Sequence, residues 1–196
     1  MAVIESLNSI FPNKAIRKMS SIVLERQQPL IDSYLADPKK ALVTDEAIVE
    51  GRDFHDPFHT EVSINDELNV PFKIGIHRAV GGLHDFPNPG DMLCASLAAC
   101  FDSALRLIAN RMNVSIIKTS IKARANADVR GTLMVDREVP VGFQSMELDV
   151  LIECDSSVNE KVLGKLVDAT ESCCIIYQTL KPSLPIHINR KFTFVE

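Results

Sequence analysis

The sequence predicts an α+β fold, on three observations. Strand-like segments with short, turn-rich connections are grouped ahead of Gly81. One long apolar helix follows Pro87-Asn88-Pro89, and clear period-two stretches come after it. Strands grouped in this way, with few crossovers, oppose a doubly wound parallel sheet.

Residues 1–40 read as a helical extension, distinct from a domain spanning 41–196. Pro12 sits where a first helical turn tolerates proline, and Ile16, Met19, Ile22, Val23 and Arg26 follow at helical spacings. Pro29 is expected to end that helix and to open a short second one through Leu30, Tyr34 and Leu35. Asp37-Pro38-Lys39-Lys40 reads as a linker. The segment carries no recognisable chemistry and reads as a packing or dimerising appendage.

From Ala41 the period changes. Strands are predicted at roughly Leu42 to Glu50, Phe58 to Ile64 and Val70 to Arg78, punctuated by Gly51, Asp53, Asp56, Pro57, Asn65 and Asp66. Their short connections suggest an antiparallel meander. Pro87-Asn88-Pro89-Gly90-Asp91 then breaks the chain before a helix of about Asp91 to Asn113. Between Met92 and Phe101 this helix is apolar nearly all round, so one sheet cannot cover it and a second sheet or subunit is expected. Ile117, Thr119, Ile121, Ala123 and Ala125 alternate with polar residues as a half-buried strand does. Met146, Leu148, Val150 and Ile152 form another strand, Val158 to Thr170 a helix, and Ile186 to Phe194 a closing strand.

Of 196 residues, 46% are hydrophobic and 24% charged, enough for one well-cored domain plus an appendage. A formal net charge of −5 opposes general nucleic-acid binding. The longest nearly charge-free run, Met92 to Phe101, is about half of a membrane span. Met1-Ala2-Val3-Ile4-Glu5-Ser6 lacks the basic start of a secretory signal, so a cytoplasmic protein with no membrane association is expected. Five cysteines then read as core fillers, thiols that react, or metal ligands rather than as structural bridges.

No cysteine pair has structural-zinc spacing, and His55 and His59 read as solvated loop residues because Pro57 opposes the turn that would join them. Gly81-Gly82 lacks the rest of a phosphate loop, and no Gly-X-Ser-X-Gly occurs. Neither a metal nor an organic cofactor is expected. Cys100 lies on the helical stripe Leu93, Leu97, Cys100, Ala104, Leu107, and Cys94 aligns with Ala98, Phe101 and Leu105. By periodicity alone both are core fillers, and a reactive thiol remains an alternative reading.

Pro87-Asn88-Pro89, Leu93 and Ala95-Ser96-Leu97-Ala98-Ala99-Cys100 resemble the signature of the OsmC/Ohr family of thiol-dependent hydroperoxide reductases. Cys174-Ile175-Ile176-Tyr177-Gln178-Thr179-Leu180 is similar to the family's second cysteine motif, with Ile175 in place of its usual proline. The resemblance covers about Ala41 to Glu196. It implies an intertwined homodimer with an antiparallel sheet packed on the central helix, no cofactor, a hydroperoxide substrate and an external dithiol reductant. Cys100 would attack the peroxide and become a sulfenic acid. Cys174 would condense with it to a disulfide, so the two Cα atoms are expected within or near ~7 Å.

In the family an arginine after the first strand stabilises the thiolate, and Arg52 in Gly51-Arg52-Asp53 matches that place. The glutamate that holds the arginine is missing. Gly90 stands ten residues before Cys100, and Asp91, on the far side of the helix, is expected to cap its N-terminus instead. The retained cysteine pair favours an enzyme. Gly90 and Ile175 favour a non-enzymatic dimer that binds a small apolar ligand or a protein partner.

Overall fold

The structure, a computed structural model, describes residues 21–51, 53, 55–65, 67–68 and 70–195. Ile16, Met19 and Arg52 therefore lie outside the described residues.

Helix α1 spans Ile22–Ala36, with the Ser21 hydroxyl accepting from the Leu24 amide at 3.1 Å as its N-cap. It runs through Pro29 and does not stop there. Proline removes one amide, leaving the Glu25 carbonyl without its helical donor, but this helix has no buried residue and water can serve that carbonyl. The expected linker is a 3₁₀ turn, Pro38–Ala41, capped by the Asp37 side chain. A 2.5 Å bond from the Ser21 hydroxyl to Asn110 fastens the start of α1 to the central helix.

Strands β1 (Ala47–Val49), β2 (Thr60–Ile64) and β3 (Val70–Ile74) form the expected antiparallel meander, each shorter than predicted. Their register places Ala47, Ile64 and Val70 side by side, and likewise Val49, Val62 and Phe72. One face is thus apolar but for Thr60, while Ile48, Glu61, Ser63, Pro71 and Lys73 occupy the other. Gly81, at φ 92°, closes the turn after β3, and a Cβ on Gly82 would stand 1.9 Å from the Ile76 carbonyl oxygen. These glycines serve a tight turn.

Helix α2 runs from Pro89 to Arg111. By length and mean hydropathy it would suffice to cross a membrane, yet here it is the helix on which the second sheet packs. That sheet holds β4 (Ile116–Asn126), β5 (Ser145–Asp155) and β6 (Ile186–Val195) in that order. Between β4 and β5 lies the one-turn helix α3, Val129–Thr132, too short to give a periodic signal. Alternate residues of β5, from Met146 to Cys154, are buried against α2. Ile117 does not join the inward set, because the register shifts between Ile116 and Lys118 and leaves it 56% exposed.

The second sheet is mixed, which corrects the wholly antiparallel expectation. β4 and β5 are antiparallel, but β6 runs parallel to β5. Two helices separate those strands, α4 (Glu160–Cys173) and α5 (Ile175–Leu180), and together they supply the crossover that a parallel pair needs. Leu163, Leu166, Val167 and Thr170 of α4 close the core over Leu97, Phe101 and Leu105 of α2.

Candidate thiol site

The start of α2 is fixed by a capping box. The Asn88 side chain accepts from the amides of Gly90 (2.8 Å) and Asp91 (3.2 Å), and Asp91 accepts from the Asn88 amide at 3.0 Å. Asp91 is therefore a cap, as its position on the helix requires. A Cβ on Gly90 would meet Asn88 Oδ1 at 3.0 Å and the Phe143 ring at 3.1 Å. The Phe143 ring thus fills the space into which a longer side chain at 90 would grow.

Cys100 lies midway along α2, half-buried and flanked by Leu97 and Phe101, both fully buried. Cys174 is the hinge between α4 and α5. It leaves α4 in an extended conformation, and its amide donates to the Thr170 carbonyl at 2.9 Å. Its side chain is wholly buried and turned to accept the Tyr177 amide at 3.5 Å. This places the Cys174 sulfur 3.2 Å from that of Cys100, although 74 residues separate them in sequence. Bonded sulfurs stand about 2.05 Å apart, so a movement of roughly 1 Å would close the bridge.

The two thiols are not equivalent. Burial pushes Cys174 up to about 11, the Tyr177 amide opposes the shift, and the neighbouring Cys100 adds to it. Cys174 thus keeps its proton and donates it toward Cys100. Of the pair, Cys100 is the more exposed and receives that hydrogen bond. The arrangement leaves Cys100 the more accessible sulfur and keeps Cys174 close enough to form a disulfide with it. All five cysteines are free thiols. Burial and the Asp91 charge raise Cys94, and burial with Asp155 raises Cys154, so both behave as inert core thiols. Cys173 is exposed.

His59 is not the solvated loop residue that Pro57 suggested. Its Nδ1 lies 2.6 Å from Asp56 and its Nε2 3.0 Å from Asp85, while the ring meets Phe86 edge-on at 5.5 Å. Both nitrogens face carboxylates, so the imidazolium is the favoured form and no lone pair is left for a metal. The staple joins the β1–β2 connection to the segment that leads into α2. The i,i+3 pair Asp56/His59 was visible in sequence, but Asp85, 26 residues on, was not. Among the described residues, no three His, Cys, Asp or Glu side chains converge as a metal ion would need. A cleft of about 450 Å³, lined in part by Ile48, Lys73 and Phe86, opens beside His59, and neither Cys100 nor Cys174 lines it.

The staple gives a pH prediction. Bonds first to Asp56 and then to Asp85 raise His59 above its ordinary 6.5. His59 lowers Asp56 below 3.8, and it lowers Asp85 as well against a larger desolvation cost. The raised histidine contributes fully below 6.5 and loses its contribution as pH rises through its folded-state value. The lowered carboxylates contribute above 3.8 and lose theirs as pH falls through their folded-state values. Thermal melting of His59→Gln should therefore differ most from the unmutated protein between pH 3.8 and 6.5, converging at alkaline pH.

The family model for OsmC-like proteins matches residues 82–189. No curated protein matches the chain. Among solved structures, an organic hydroperoxide resistance protein OsmC from Legionella pneumophila is similar at 22% identity and a TM-score of 0.58, covering 76% of this chain and 98% of that one. The organic hydroperoxide resistance protein from Elizabethkingia anophelis is similar at 20% identity and a TM-score of 0.59, covering 79% and 98%. That of Bacillus subtilis gives 18% identity and a TM-score of 0.52, covering 76% and 98%. At such identities the likeness to these structures shows the fold alone.

Proposed function

This chain belongs to the family of OsmC-like proteins, and on that footing we propose that it is a thiol-dependent peroxidase that reduces hydroperoxides, organic ones in preference. The observation that carries the reading is the Cys100–Cys174 pair, 3.2 Å apart, one sulfur on α2 and the other on the hinge between α4 and α5, with burial raising Cys174. In the first step the Cys100 thiolate attacks the distal peroxide oxygen. The O–O bond breaks, an alcohol leaves after taking up a proton, and Cys100 becomes a sulfenic acid. The Cys174 sulfur then attacks that sulfenic acid, forming the S–S bond and releasing water. An external dithiol reduces the disulfide by two successive exchanges and is itself oxidised to a disulfide. The partly exposed apolar residues Leu93 and Ala104, on the same stripe of α2 as Cys100, favour an alkyl peroxide over hydrogen peroxide. Arg52, which lies outside the described residues, is the guanidinium we assign to stabilising the thiolate, and the cytoplasm is the reducing compartment that suits five free thiols.

The working unit in this reading is a homodimer. Only 28% of the most apolar window of α2 is buried within one chain, with Ala95 and Ala99 exposed. The apolar face of the first sheet leaves Val49 52% and Val70 57% exposed. Surfaces of this kind need a second copy to cover them.

The test is direct. Reduced protein supplied with a dithiol should consume an alkyl hydroperoxide several times faster than hydrogen peroxide. If thiol-dependent consumption is absent, the protein is instead a binding dimer, a reading that the Phe143 ring against Gly90 favours because no carboxylate can occupy that place.

A further inference from the structure

The elbow that carries Cys174 is held from three sides. Glu171 sits in the last turn of α4, three residues before the cysteine. From α5, the Tyr177 hydroxyl donates to the Glu171 carboxylate at 3.3 Å, and the Gln178 side-chain amide donates to the Glu171 carbonyl at 2.6 Å. From β6, Arg190 pairs with the same carboxylate and with Asp168 at 2.8 Å. The Tyr177 ring is only 4% exposed and meets Phe101, the neighbour of Cys100, edge-on with centroids 6.2 Å apart. Tyr177 thus meets the Cys174 sulfur through its amide and, through its ring, the Phe101 that follows Cys100 on α2.

We propose that Glu171, Tyr177 and Arg190 form a positioning bracket that holds the Cys174 sulfur against Cys100 and so sets how fast the Cys100 sulfenic acid is resolved. This rests on the peroxidase reading for its consequence, though not for its geometry. Glu171 and Arg190 touch no reacting atom, and Tyr177 meets the Cys174 sulfur only through its backbone amide, which a side-chain substitution retains; the three side chains act through the elbow. The sulfenic acid has two fates. It condenses with Cys174, losing water as the S–S bond forms, or a second peroxide oxidises it to the sulfinic acid and leaves as alcohol. Condensation scales with the fraction of time that Cys174 spends in reach, whereas the first oxidation at Cys100 does not involve the bracket. The ratio of the two fates therefore reports on the bracket alone.

Tyr177→Phe keeps the ring on Phe101 and removes only the hydroxyl. It should raise the sulfinic acid formed per turnover, read by intact mass spectrometry, roughly three- to tenfold, the equivalent of one ordinary hydrogen bond. Its first-oxidation rate, which senses Cys174 only through the hydrogen bond between the two sulfurs, should change less than that partition. Arg190→Gln should act in the same direction, and Arg190→Lys, which retains a cation for Glu171, should recover most of the loss. A second measurement needs no peroxide. In a glutathione redox buffer, Tyr177→Phe should lower the equilibrium constant for the Cys100–Cys174 disulfide by a similar factor. If that shift appears but the unmutated protein consumes no peroxide, the bracket stands and the peroxidase reading fails. If neither the partition nor the redox equilibrium moves in Tyr177→Phe and Arg190→Gln, the bracket is overturned.

Discussion

Cys100→Ser should reduce dithiol-dependent hydroperoxide consumption by more than about a thousandfold, as loss of a sole nucleophile does. The substituted hydroxyl keeps nearly the same volume between Leu97 and Phe101, so the fold is retained. A serine hydroxyl does not ionise at neutral pH and cannot pass through a sulfenic acid. No other thiol takes over. Burial pushes Cys174 up, so it holds its proton at neutral pH. Cys94 and Cys154 are raised as well, and the sulfur that Cys174 meets is that of Cys100, not the exposed Cys173. Serine at any of these three positions should leave turnover within about twofold of the unmutated protein. Consumption that persists in Cys100→Ser would move the reaction to another residue and end the two-cysteine scheme.

What could be read from the sequence follows from the range of each signal. The period-two alternation of β5 and the apolar run of α2 are local patterns, and both elements formed where they were expected. Direction is not local. The residues Ile186 to Phe194 read as a strand in either orientation, and only the crossover through α4 and α5 makes β6 parallel. Pro29 does not break its helix because an exposed helix can solvate the carbonyl it orphans. Ile117 leaves the inward set through one slip of register at a bulge that no periodicity announces.

The thiol site divides in the same way. Spacing placed Cys100 on a buried stripe, where it does lie, but a stripe cannot tell a core thiol from a reactive one. The distinction rests on Cys174, brought to 3.2 Å by an elbow 74 residues later. The family motif pointed to that partner and periodicity did not. The His59–Asp85 staple, the Phe143 ring over Gly90 and the Arg190–Glu171 pair are long-range contacts of ordinary residues, and none leaves a local pattern.

Val70→Lys should disrupt assembly while sparing the protomer. In a single chain Val70 is 57% exposed on the apolar face of the first sheet, beside Ile64 and Ala47. A lysine there can reach water, so the isolated chain should lose no more than about 0.5 kcal/mol. In the proposed dimer the same face is covered, and an unpaired ammonium would be stripped of water against Val49, Val62 and Phe72. Dimer dissociation should rise by at least about a hundredfold. Sedimentation equilibrium at micromolar concentration should then show a dimer for the unmutated protein and a monomer for Val70→Lys. The polar-face control Ser63→Lys should remain dimeric, since Ser63 lies on the opposite side of the same strand pair. An unmutated monomer would remove the dimer from the proposed mechanism. A Val70→Lys variant that associates as tightly as its parent would assign the interface to α2 alone, whose Ala95 and Ala99 are exposed on the turns that lead to Cys100.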